Sequence, residues 1–212
     1  MGRVRFISFE GGEGSGKSIH SRRLADWLKG QGHEAVLTRE PGGTAGAEEI
    51  RQLLVQGEAA RWEPMTEALL HFAARRDHVA KVIRPALARG AWVVSDRFVD
   101  STVAYQGFAH GLGAEPIALL RKLVLGDFAP GLTLLFDVAV ELGLERAGKR
   151  QSADARYESM GEAFHTRVRE GFLAIARAEP GRVTVIDSSG PIDEVAAAVV
   201  AAMRTHFSDV LR

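Results

Sequence analysis

Five short apolar runs punctuate the chain: Val4–Phe9, Ala35–Thr38, Trp92–Ser95, Leu132–Phe136 and Val183–Ile186. Each is rich in Val, Ile, Leu or Phe, and a longer stretch with helical spacing separates it from the next. Strands covered on both faces need no polar alternation, so this pattern predicts an α/β domain with a parallel sheet between helical layers. The helical period is plainest near the end, where Ile192, Val195, Ala196, Val199, Val200 and Met203 recur on one stripe. Phe164, Val168, Phe172 and Ile175 form another. A third stripe, Met65, Leu69, Phe72, Val79 and Ile83, holds one cation, Arg76, four residues after Phe72 and so on its face. A cation out of pattern on an apolar stripe marks a ligand-facing position, with snorkelling or a buried carboxylate partner as the alternative. Arg146–Arg156 is rich in charge and poor in apolar residues, and reads as a mobile excursion.

Composition changes this picture mainly by exclusion. A length of 212 residues fits one domain. Lys+Arg and Asp+Glu both number 27, so no global basic field invites nucleic acid or a membrane surface. With no cysteine, disulfides and thiolate metal sites are ruled out. No apolar run reaches spanning length, and the cytoplasm is the expected location.

The chemistry enters at Gly11-Gly12-Glu13-Gly14-Ser15-Gly16-Lys17-Ser18, between the first strand and the first helix. This is the G-x-x-x-x-G-K-[ST] cradle, in which glycines let backbone N–H groups curl around phosphate oxygens and the helix N-terminus adds its dipole. Lys17 is expected on the β- and γ-phosphates of ATP, and the Ser18 hydroxyl on Mg²⁺. The chain contains no asparagine, so it cannot carry the Asn-Lys-x-Asp segment with which guanine-specific switches read their base. Two classes remain: a kinase with a small-molecule acceptor, and a nucleotide-switched ATPase that answers to a protein partner.

Ligands of open parallel sheets bind beyond the carboxyl ends of the strands. Arg39 follows the second strand and Asp96-Arg97 the third, so both arginines emerge beside the cradle, suited to bidentate phosphate binding. Asp96 is placed to help hold the metal.

Thr38-Arg39-Glu40-Pro41-Gly42-Gly43-Thr44, the cradle before it, and Asp96-Arg97-Phe98 through Ala104-Tyr105-Gln106-Gly107 after it resemble the bacterial thymidylate kinase family. The likeness extends through Leu123–Pro130 and Phe136-Asp137-Val138. It implies a P-loop kinase fold with a five-stranded parallel sheet flanked by helices, one domain with a small mobile lid at about 146–160, a homodimer, ATP as donor and dTMP as acceptor. Matched by motif, it implies Glu13 near the sugar 3′-hydroxyl, Arg39 and Arg97 on the dTMP phosphate, and Phe72 stacked on thymine. Arg76 and Thr102 would bond the base edge, with Tyr105 and Gln106 lining the sugar and base pocket, and Arg146 would serve the donor nucleotide. The cradle carries no arginine of its own, so the transition-state arginine is expected from the lid, where Arg150 aligns best, beside Lys17 and Arg97 as the other catalytic cations. The chain departs from the family twice. Ile19 stands where a hydroxyl residue is usual, and Asp154-Ala155-Arg156-Tyr157-Glu158 carries one residue more than Asp-Arg-x-Glu.

Overall fold

The computed structural model describes residues 3–149 and 155–211. Five strands, β1 (Phe6–Glu10), β2 (Ala35–Arg39), β3 (Trp92–Asp96), β4 (Leu132–Asp137) and β5 (Val183–Asp187), pair in parallel in the order β2-β3-β1-β4-β5. Each lies within one or two residues of an apolar run in the sequence. The pleat divides their side chains. Ile7, Phe9, Trp92, Val94, Leu134 and Phe136 pack with Leu24, Leu28, Val199 and Met203 of helices α1 (Lys17–Gly30) and α10 (Ile192–His206). Phe6 and Val93 face the other way, against Phe72, Val79, Ile83, Phe98 and Ile117.

That second layer begins with α2 (Ala45–Val55) and α3 (Pro64–His78), which runs through a π turn at Val79–Ile83 into α4 (Arg84–Ala88). Pro64 opens α3 at a position that needs no N–H, and the Glu63 carboxylate caps the N–H groups of Met65 and Thr66 at 3.0 Å. After β3 comes α5 (Val99–Thr102), continued by a π segment at Val103–Ala109, and then α6 (Ala114–Leu125). Helices α7 (Val140–Gly148), α8 (Ala155–Glu158) and α9 (Glu162–Ala178) follow β4. Phe164, Val168, Phe172 and Ile175 of α9 form a further core with Ala104, Tyr105 and Leu135.

The register places Phe9 of β1 opposite Asp96 of β3, and Arg39 of β2 opposite the same Asp96. The loops after β1, β2 and β3 therefore open side by side at one edge. The chain leaves β1 for β2 and β3 on one side and later crosses to β4 and β5 on the other, so this edge is where the sheet's connections part.

Candidate active site

The loop after β1 needs its glycines. Gly11, Gly14 and Gly16 have φ of 139°, 66° and 88°. At Gly14 a Cβ would also overlap the carbonyl oxygen of Gly143, and a Cβ on Gly143 would sit 2.6 Å from the Glu13 carbonyl oxygen. The cradle and α7 thus meet backbone to backbone. Lys17 is buried at the start of α1, and its Nζ donates to the Gly12 carbonyl at 2.6 Å and the Ser15 hydroxyl at 3.1 Å. Burial, and then the charge of Arg97, pull the Lys17 ammonium down to about 8, against the opposing charges of Glu13, Asp96 and Glu10.

The Ser18 hydroxyl donates to Asp96 Oδ2 at 2.5 Å. One hydroxyl and one carboxylate side by side suit Mg²⁺, which takes few protein oxygens and completes its octahedron with waters and substrate phosphates. Among the described residues no group of three or more His, Cys, Asp or Glu could hold a metal alone, so the nucleotide's phosphates would have to supply the remaining oxygens.

Arg97 is the one described non-glycine residue at positive φ, 72°. Backbone in that region costs about 1–3 kcal/mol and persists only where its surroundings fix it. Here Arg97 N–H donates to Phe9 O at 2.9 Å, and Glu10 accepts the next N–H, that of Phe98, at 2.7 Å and the Ser101 hydroxyl at 2.6 Å. Burial, and the nearby Asp100, push the Glu10 carboxyl up to about 8. The turn aims the guanidinium back at the cradle. It donates to the Gly11 carbonyl at 3.2 Å, to Glu13 Oε1 at 2.7 Å and to the Tyr105 hydroxyl at 3.1 Å, while Tyr105 donates to the same Glu13 oxygen at 2.7 Å. Burial alone would raise Glu13; Arg97, Lys17 and the Tyr105 hydroxyl overcome it and hold the carboxylate at about 2.

Two connected hollows result. One is a charged chamber lined by Glu13, Lys17, Ser18, Arg39, Glu40, Arg51, Asp96 and Arg97. The other lies beyond Glu13 and Arg97 and is lined by Pro41, Arg51, His71, Thr102, Tyr105, Gln106 and Tyr157. Arg39 reaches the chamber while paired to Glu48 at 2.9 Å. Arg146, at the end of α7, donates to the carbonyls of Ser188 and Ser189 at 2.8 and 2.9 Å, joining α7 to the loop after β5.

The structure brings Glu13, Lys17, Ser18, Arg39, Asp96, Arg97, Thr102, Tyr105 and Gln106 to these hollows. It does not bring Phe72 or Arg76. Phe72 is 1% exposed in the core against Phe98, with the Arg75 guanidinium 5.0 Å over its ring, and Arg76 is exposed, reaching only the Val124 carbonyl at 3.4 Å. The expectation that these two read the base is corrected on this geometry. The side of α3 toward the loops after β2 and β3 carries Glu67, His71, Arg75 and His78, each with polar partners, while Phe72 turns into the core beside them and Arg76 outward. Arg75 Nε donates to Glu40 Oε2 at 2.7 Å, its NH2 to the Phe98 carbonyl at 3.1 Å, and its buried NH1 has no hydrogen-bond partner. His78 Nδ1 meets Glu40 Oε1 at 2.9 Å, which fastens the loop after β2 to α3.

Arg150 lies outside the described residues. Arg156 does not stand in a solvated charge run: it is 1% exposed, paired with Glu67, and donates to the carbonyls of Leu54, Glu58 and Ala59 at 2.9–3.1 Å. Beside it, Tyr157 OH donates to Glu67 at 3.0 Å and lies 3.0 Å from His71 Nε2. Burial and the surrounding arginines hold His71 well below its ordinary range, so the ring is neutral. Sequence reasoning missed Arg51, His71, Arg75 and Tyr157; His71 and Arg75 stand one residue before Phe72 and Arg76 with the same spacing of four, which is the signal that could have found them.

A glycine cradle with a buried lysine, beside a charged chamber and a second pocket that share Glu13, Glu40, Arg51 and Arg97, is the site of a P-loop phosphotransferase of the nucleoside monophosphate kinase class, and its relatives bear that class out. The family model for thymidylate kinase matches residues 9–199. The chain is 59% identical to the thymidylate kinase of Caulobacter vibrioides over 92% of its own length and 93% of the relative's. It is 51% identical to that of Dinoroseobacter shibae, over 93% and 95%. A crystal structure of thymidylate kinase from Ehrlichia chaffeensis superposes with a TM-score of 0.75 at 36% identity, covering 93% of this chain and 97% of that one. The chain belongs to the thymidylate kinase family. ATP is the phosphoryl donor of that family, and membership favours phosphoryl transfer over the nucleotide-switched ATPase.

Proposed function

We propose that the chain transfers the γ-phosphate of ATP to dTMP, giving dTDP and ADP, across the chamber between Lys17 and Arg97. The observation that carries this reading is the pairing of Arg97 with Glu13 and Tyr105 at the mouth of the second pocket. An acceptor phosphate placed there would take over the Arg97 guanidinium, with Arg39 from the neighbouring strand end beside it. The released Glu13 carboxylate, which Arg97, Lys17 and Tyr105 hold ionised before the acceptor arrives, would then accept from the sugar hydroxyl.

Phosphoryl transfer needs two anions aligned and their charge neutralised, with little covalent chemistry from the protein. Lys17 and the cradle N–H groups hold the donor phosphates, and Arg146 with the loop after β5 borders the donor nucleoside. Mg²⁺, held through Ser18 and Asp96, would supply further neutralisation of the β- and γ-oxygens. No side chain is required as general base, since the acceptor phosphate oxygen is already a nucleophile. Residues 146–160 would act as a lid that brings Arg150 to the transferring group and excludes water.

The cytoplasm is the proposed location; among the described residues no helix is long and apolar enough to cross a membrane. A homodimer is proposed through α3 and α6, where Leu69, Leu119 and Leu123 are 50%, 66% and 82% exposed. The acceptor is tested by incubating the protein with Mg-ATP and each nucleoside monophosphate in turn. The expected result is dTDP as the dominant diphosphate; equal yields from every monophosphate would contradict it.

A further inference from the structure

We propose that Glu67, which takes no part in phosphoryl transfer and does not line the acceptor pocket, determines which pyrimidine the pocket accepts by fixing the orientation of the Gln106 amide. The proposal rests on the reading that the base of the acceptor occupies the pocket lined by His71, Thr102, Gln106 and Tyr157.

Glu67 is fully buried on α3. Its Oε2 is paired with Arg156, itself buried, and its Oε1 accepts from the Tyr157 hydroxyl at 3.0 Å and from Gln106 Nε2 at 2.6 Å. A carboxylate paired to a guanidinium has no proton to give, so every group that meets it must donate. An amide can do so only through its NH2. Gln106 is therefore not free to flip, and its oxygen is the atom left over. Gln106 Oε1 is buried without a hydrogen-bond partner, and so is the Thr102 hydroxyl one turn earlier on the same helix. Both residues line the pocket. A buried acceptor left unpaired is destabilising, and a ligand presenting an N–H would relieve it.

Thymine and uracil carry N–H at ring position 3. Cytosine carries a bare nitrogen lone pair there, so against Gln106 Oε1 it would set acceptor against acceptor. The discrimination thus originates one residue behind the pocket wall, in the charge of Glu67. Arg156 and Tyr157 come from α8, so the lid segment takes part in holding that orientation.

Glu67→Gln is the test. A glutamine there offers one oxygen, for which Arg156 and Tyr157 compete, and an NH2 that would turn toward Gln106. Gln106 would then present its oxygen to residue 67 and its NH2 to the base. The ratio of kcat/KM for dTMP over dCMP should fall by ~10-fold or more, with the ratio for dTMP over dUMP unchanged, since both of those carry the N–H. Loss of all three activities in proportion would mark Glu67 as structural only and overturn the proposal, as would unchanged ratios. If the single variant fails to fold because Arg156 is left under-paired, Glu67→Gln with Arg156→Met removes that charge and is judged by the same ratios. The unaltered protein gives an independent reading: a dTMP analogue with carbon in place of N3 should lose ~10-fold or more in kcat/KM, and equal use of it and dTMP would overturn the proposal. A wild type that phosphorylates no dTMP at all would instead remove the site reading beneath it.

Discussion

Lys17 carries the clearest consequence at the scale of single residues. Its folded-state pKa of about 8 lies below the ordinary 10.5, because burial and Arg97 disfavour the charged form. That depression works against folding below about pH 8 and is relieved as pH rises from about 8 to 10.5, where the unfolded chain binds the extra proton. For activity the direction is opposite. The free protein loses the cation above pH 8, whereas phosphates in the cradle would keep it protonated. The profile of kcat/KM for ATP should therefore break downward near pH 8 while kcat at saturating nucleotide stays level to higher pH. A common break in both would show that bound phosphates do not lie against Lys17.

Much of this site is legible residue by residue. The cradle, Arg39, Asp96 and Arg97 follow from short motifs at strand ends, where only the order of elements matters. Phe72 and Arg76 were not legible, because facing on a long helix depends on which arc is buried. On α3 the buried face is mixed: Glu67, Arg75 and His78 share it with Ala68, Phe72 and Ala74, and with half-buried His71 they are tolerated there because Gln106, Tyr157, Glu40 and Phe98 meet them. Hydrophobic periodicity has no signal for a buried face made of paired charges.

Among the elements, the lid separates two arginines that look alike in sequence. Arg156 is locked under the α2–α3 connection by Glu67 and three carbonyls, and Arg150 is the cation proposed for the transferring phosphate. Arg150→Ala should lower kcat by ~10³-fold with little change in thermal midpoint. Arg156→Ala should instead cost about 3–5 kcal/mol in stability, because it strands Glu67 as an unpaired buried charge. Thermal denaturation alongside steady-state kinetics separates the two; a stable Arg150→Ala protein with normal kcat would contradict the assignment. Charge-rich composition predicted an excursion here, but nothing in composition distinguishes an arginine in solvent from one seated on backbone carbonyls. The contact between Gly14 and Gly143 is equally silent in sequence, although it couples the cradle to the helix that leads into the lid.

For the whole molecule, the five strands fell within one or two residues of their apolar runs: β1, β3 and β4 are buried along almost their whole length, and the part-exposed edge strands β2 and β5 are short apolar runs bounded by helical stretches. Strand order followed neither from the pattern nor from the resemblance, which implied only the number of strands; the structure sets it as β2-β3-β1-β4-β5. Helices α3 and α6 show the reverse problem. Leu119 and Leu123 project into solvent on the single chain, where an apolar face is a cost unless another surface covers it. Leu123→Arg should shift the sedimenting species from dimer to monomer, and an unchanged dimer would place the interface elsewhere.

The central claim is that the chamber is complete only when both nucleotides occupy it. Its most direct test is the rate of ADP formation from Mg-ATP with and without dTMP, with dTDP measured in parallel. The account predicts slow ATP turnover alone, a large rise on adding dTMP, and one dTDP formed for each ADP. ATP turnover at the same rate with and without dTMP, or ADP released without matching dTDP, would contradict it.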